Sequence, residues 1–193
     1  NSVDTMKIAT FLVSSCIAAL LAACATPQPN GADGAYNVNS ARKRASAPAT
    51  DWTALRSKLG SALQNVPGIE IGDASAAGLK LQIPVSDGFA SGKAELRPPL
   101  VRALDALAPV LAAEPETAVQ IVGHTDSQGS EMHNLQLSIS RAEAVADYLR
   151  ARGITLDRLS ADGRGEADPL TSNAQESGRA RNRRVELILR PMP

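Results

Sequence analysis

Past residue 24 the chain has no cysteine, since its two, Cys16 and Cys24, both fall near the start. A disulfide framework therefore cannot staple the folded part, and no thiol is available there as a nucleophile. Aromatic residues are scarce at 3%, so a core must be built from Ala, Val, Leu and Ile, which a hydrophobic content of 44% permits at this size. Charge of one sign is also missing: 20 Lys and Arg balance 20 Asp and Glu, for a formal net charge of zero. Without a basic surplus to displace counterions, nucleic acid is not expected as a partner. A full membrane span is disfavoured too, because the apolar run Ile8 to Ala23 has 16 residues where a helix crossing a bilayer needs about 20.

What is there begins with an address. Met6 and Lys7 precede that run, and small residues precede Cys24, the pattern of a secretory signal peptide over residues 1–23. Leu21-Ala22-Ala23-Cys24 resembles the bacterial lipobox. The resemblance implies cleavage before Cys24 and lipidation of its sulfur, palmitate among the acyl chains. One chain anchors only marginally at about 0.8 kcal/mol per buried CH2, whereas the three implied here would release very slowly. Ala25 rather than Asp follows the cysteine, which by analogy favours the outer membrane, facing the periplasm. An ordinary signal peptide with an incidental cysteine is the plainer alternative.

Residues 24–50, rich in Pro, Ala, Asn and Ser, bury too little to fold and read as a flexible periplasmic linker. Its r.m.s. span is roughly 28 Å. Residues 51–76 form an extension: Asp51 is expected to cap a helix carrying Trp52, Leu55, Leu59 and Leu63, and 68–71 alternate like a strand. Residues 77–193 form the main domain. Strands are expected at Leu79–Ile83, Ala118–Val122, Leu156–Ala161 and Val185–Arg190. Helices are expected near Pro98–Ala113, kinked or ended by Pro109, near Leu135–Arg152, stopped by Gly153, and near Ala174–Arg181. Strands alternating with helices predict an α+β fold, an α/β two-layer sandwich with helices packed on a sheet.

The informative stretch is HTDSQGSEMHNLQLSISRAEAVADYLRARGI. Asp126 lies just after a strand and Arg141 fifteen residues later, in the first half of the next helix. A strand-loop-helix unit folds back on itself, so both can flank one pocket. A carboxylate accepts from an ammonium and a guanidinium fork takes a carboxylate, which together suit a free amino-acid end.

GHTDSQG, NLQLSISRAEAVADYL, ADGRGEADPLTSN and GRARNRRVEL, in this order, resemble the OmpA-like peptidoglycan-binding domain, which OmpA, Pal and MotB carry, from about Leu79 to Arg190. The resemblance implies a βαβαβ-type mixed sheet with helices on one side. It also implies non-catalytic binding of peptidoglycan, with Asp126 and Arg141 holding the zwitterionic end of diaminopimelate in the stem peptide. Asn134, Leu137 and the backbone after Thr125 would shape the pocket. The loop of Phe89, Ser91 and Gly92, together with Asn182 and Arg183, would border it. Tol-associated Pal lipoproteins usually read GHADERG and NRRA where this chain has GHTDSQG and NRRVEL, so the broader OmpA-like lipoprotein group is the nearer match.

Each residue also has a plainer reading. Asp126 in TDSQG suits a turn residue bonding its own backbone, Arg141 a surface ion pair, and Asn134 a helix cap. Arg183 and Arg184 could pair with Glu143, Glu166 or Glu186. His124 and His133 lack the fixed spacing of a zinc site, and GRGE at Gly163–Glu166 lacks the Lys-Ser/Thr of a phosphate loop and reads as a turn. No metal or cofactor is expected. Two other functions compete: a regulatory lipoprotein that uses wall binding to position or sequester a periplasmic protein partner through residues 51–75, and a wall hydrolase, for which no acid-base pair or activated nucleophile is evident.

Overall fold

The computed structural model describes residues 50–85 and 88–192. The leader 1–23, Cys24 and all but the last residue of the linker 24–50 lie outside the described residues.

Chain order is α1 (Trp52–Ala62), β1 (Glu70–Ile71), β2 (Leu79–Pro84), α2 (Pro98–Ala112), β3 (Thr117–Gly123), α3 (Glu131–Ala151), β4 (Leu159–Gly163), α4 (Glu176–Asn182) and β5 (Arg184–Pro191). The strands make one mixed sheet in the order β1-β2-β5-β3-β4, parallel only between β3 and β4. β5 thus lies between β2 and β3, pairing Leu187 with both Leu81 and Ile121. Because side chains alternate across a strand, Leu81, Ile121 and Leu187 share one face with Leu79, Ile83, Val119, Val185 and Leu189, all buried. α2 adds Leu100, Leu104, Leu107 and Leu111 to the same core, α3 adds Val145 and Leu149, and α1 adds Trp52, Leu55 and Leu59.

Local chemistry explains most boundaries. Asp51 caps α1, its carboxylate accepting from the backbone N–H of Thr53 (3.1 Å) and Ala54 (3.0 Å). Pro109 falls in the last turn of α2, and the helix runs three residues beyond it instead of stopping. α3 begins a turn earlier than its apolar spacing suggests, with Ser130 rather than Asn134 as its cap, accepting from His133 N–H at 3.3 Å. β4 starts three residues later than expected. A 3-10 turn at Leu156–Arg158 intervenes, and Arg158 donates to the carbonyls of Thr117 (2.8 Å), Leu111 (2.8 Å) and Glu114 (2.9 Å), closing the end of α2.

Gly123 and Gly163 are register partners on β3 and β4. α3 crosses directly over both. A Cβ on either would fall far inside the 3.0 Å limit that real Cβ contacts respect, against Ser138 and Ile139. Ser138 completes the seam: its hydroxyl donates to Leu135 O (2.7 Å) and accepts from Gly165 N–H (2.9 Å). The paired glycines therefore set how closely the helix bearing Asn134 and Arg141 approaches the strand end bearing Asp126.

On the sheet's other face His124 is 3% exposed, with neither ring nitrogen hydrogen-bonded among the described residues. Burial first, then the Arg184 guanidinium and more weakly Lys80, push its pKa from the usual 6.5 down to about 4, against the pull of Glu186 and Asp168. A base depressed this way favours folding above the unfolded value. Stability should therefore fall as pH drops from 6.5 toward 4, with a limiting slope of about 1.4 kcal/mol per pH unit from this residue. Urea unfolding across that window, compared with His124→Asn, measures it; an unchanged slope in the variant would count against this account.

Candidate functional site

Four stretches converge at the sheet end where β3 finishes. Val85 N–H donates to Arg183 O (2.9 Å), His124 N–H to Arg184 O (2.9 Å) and Thr125 N–H to Gly165 O (2.8 Å), so the segments around the site are bonded to each other before any side chain is considered. Residues 88–97 make a narrow excursion closed by a bridge between Phe89 and Leu96 and by Arg97 N–H on Gly88 O (2.9 Å). Between this excursion, the loop after β3, the first turns of α3 and the start of β5 lies a cavity of about 500 Å3.

Nine of the ten expected ligand residues line it: Phe89, Ser91 and Gly92 from the excursion, Thr125 and Asp126 from the loop, Asn134, Leu137 and Arg141 from α3, and Arg183. Asn182 does not. Its buried amide instead accepts from the N–H of Leu170 (2.9 Å) and Thr171 (3.1 Å) and donates to Thr171 O and Asn173 Oδ1 (both 2.8 Å), fixing the loop before α4. Gln128, His133, Glu176 and Arg97 also line the cavity. Their types and spacing carry no local signal, since each is an ordinary surface residue until the fold assembles the wall.

Asp126 combines a turn role with a place on the cavity. One carboxylate oxygen accepts from Gln128 N–H (3.0 Å), the local turn expected of TDSQG, and the other accepts from Arg183 Nη1 at 2.6 Å. Arg183 also donates to Glu176 at 2.6 Å. Its partners are therefore Asp126 and Glu176, not Glu143, Glu166 or Glu186. Against the cost of burial, these two hydrogen bonds raise the Arg183 pKa. Arg184 does pair with Glu186, at 2.9 Å within the sheet.

Arg141 is 5% exposed, so it is no surface ion pair. Its Nε donates to Lys93 O (3.0 Å) and its guanidinium lies 5.3 Å from the Phe89 ring centroid, an arrangement that fastens the excursion to α3. Among the described residues its terminal nitrogens have no acceptor. Burial, and then the like charge of Arg183, lower its pKa while Asp126 opposes them. An arginine stays cationic regardless. Asn134 donates to Asp126 O (3.2 Å) and to Glu166 (2.8 Å), holding the loop after β3 against the segment after β4. The site thus presents a carboxylate and a guanidinium to one open-mouthed cavity, each already oriented by other contacts. A group with both an ammonium and a carboxylate on one carbon matches that pair.

The OmpA family pattern matches residues 88–183. The Escherichia coli protein named "Probable lipoprotein YiaD" is 40% identical over 112 residues, 58% of this chain and 51% of that protein. The peptidoglycan-binding protein ArfA of Mycobacterium tuberculosis is 45% identical over 101 residues, 52% of this chain and 31% of ArfA. The chain therefore spans about half of the first relative and less of the second. Among solved structures, a MotB-like protein from Desulfovibrio vulgaris superposes with a TM-score of 0.64 and 31% identity, covering 72% of this chain and 91% of that one. These matches establish that the chain belongs to the OmpA family.

Proposed function

We propose that this domain binds peptidoglycan without cleaving it, and that it does so by seizing the free amino-acid end of diaminopimelate in the stem peptide. The observation that carries the reading is the meeting of Asp126 and Arg141 on one cavity. Asp126 receives the ammonium and Arg141 the carboxylate, while Phe89 and Leu137 border the methylene chain. ArfA, a relative that bears the name of peptidoglycan-binding protein, supports peptidoglycan as the polymer bound. A hydrolytic role finds little support. The hydrogen bonds from Arg183 and Arg179 hold Glu176 below the ordinary carboxylate range, the reverse of what a general acid needs.

With a lipid on Cys24, such a domain links the outer membrane to the wall. The alternative of a regulatory lipoprotein would have to use the outward face of residues 51–75, because the apolar stripe of α1 is already buried in the core. Titration calorimetry with a diaminopimelate-containing stem peptide beside its lysine-containing counterpart tests the reading. The lysine form lacks the carboxylate for Arg141 and should bind about 10- to 100-fold more weakly, the equivalent of one lost charged hydrogen bond of roughly 1.5–3 kcal/mol. Equal affinities would refute it.

A further inference from the structure

The charges around the cavity do not balance. Arg97, Arg141 and Arg183 face Asp126 and Glu176, and Arg183 already bridges both acids. A zwitterionic tip is neutral, so when it occupies the cavity one guanidinium remains in excess. That guanidinium is Arg97, at the base of the excursion, where its backbone is fixed by the bond to Gly88 and by the prolines that follow at 98 and 99. Arg97 also lines a second, neighbouring cavity of about 290 Å3, in which Arg97 and Arg102 are the charged lining residues and Asn65 the neutral polar one. Neither arginine has an ion-pair partner among the described residues. One side chain thus borders both spaces, and the second carries cations with no acid to answer them.

We propose that Arg97, assisted by Arg102, forms a carboxylate subsite for a part of the stem peptide beyond the diaminopimelate tip. This rests on the peptidoglycan reading above. In a stem peptide the residue joined to diaminopimelate is glutamate linked through its side chain, which leaves its α-carboxylate free. That group is an anion the stem carries apart from the tip, on the side away from the residue that follows diaminopimelate, and an arginine at the cavity rim can meet it. Some walls carry this carboxylate as an amide, which removes the charge while leaving size and shape almost unchanged. The subsite therefore discriminates wall chemistries that share the same diaminopimelate. Both arginines are solvent-exposed, so screening keeps the preference modest.

Calorimetry on the full chain tests this with three probes: free meso-diaminopimelate, the tripeptide Ala-γ-Glu-diaminopimelate with its glutamate α-carboxylate free, and the same tripeptide amidated there. The expected result is roughly fivefold tighter binding of the acid form, with the preference shrinking in high salt. In the double variant Arg97→Gln/Arg102→Gln the acid-to-amide ratio should fall to about one, and because the ratio is internal to each protein it is insensitive to partial unfolding. Wild-type protein that binds free diaminopimelate yet treats both tripeptides alike overturns the subsite alone, as does a double variant that keeps the preference. Failure of the wild-type protein to bind free diaminopimelate or either tripeptide overturns the parent reading instead.

Discussion

Asp126→Ala and Arg141→Ala should each weaken binding to isolated peptidoglycan sacculi by at least about 30-fold. Truncating one partner of a buried, hydrogen-bonded charge pair costs about 2–5 kcal/mol, and each 1.4 kcal/mol is tenfold. The two variants fail differently. Loss of Asp126 leaves the ligand's ammonium facing Arg141 and Arg183, and Arg183 keeps only Glu176 as its partner. Loss of Arg141 also frees Lys93 O and removes the cation above Phe89, so the excursion loosens along with the charge. Asp126→Asn is the cleaner probe, because its side-chain oxygen can still accept from Gln128 N–H while the charge is gone. Cosedimentation with sacculi, alongside circular dichroism to confirm folding, reads the result. Near-wild-type binding by both alanine variants would end the proposal.

Gly123→Ala should destabilise the domain by about 3–4 kcal/mol, at the upper end for overpacking. The glycine's dihedrals are not the reason; room is. The added carbon meets the Ser138 carbonyl, which is helix backbone and cannot rotate aside as a side-chain tip would. Relief requires α3 to lift from β3 and β4, which also withdraws Asn134 and Arg141 from the cavity. Stability and ligand affinity should therefore fall together, in contrast to Asp126→Asn. Urea midpoints at unchanged m-value measure the first, and a Gly123→Ala protein as stable as wild type would show that the helix has slack the close contact denies.

Much of this was legible in residue order. Alternation in Leu79–Ile83 and Val185–Leu189 and the Leu spacing of α1 and α2 predict elements that burial accounts for, because apolar period is what burial selects. Asp126 and Arg141 stand out for a local reason, as they belong to one strand-loop-helix unit. The start of α3 does not stand out, because Glu131–Asn134 has no apolar repeat and is held by Ser130. Contacts across long separations are also hidden. The bond from Arg183 to Asp126 spans 57 residues, and it forms only because the pairing of β5 with β2 and β3 carries Arg183 to the cavity. Arg97 likewise becomes conspicuous only once charges from four stretches are counted together. Asn182 looks equivalent to Arg183 by adjacency, but its side chain turns to the loop before α4.

The middle position of β5 has a consequence for biogenesis. This strand follows every other in chain order, yet it separates β2 from β3, and its entry supplies both Arg183 and the carbonyls that fix Val85 and His124. A polypeptide that emerges with its N-terminus leading has no closed pocket until that final insertion. On the proposed reading, ligand binding therefore waits for this strand, and a product truncated before Arg183 would lack the pocket.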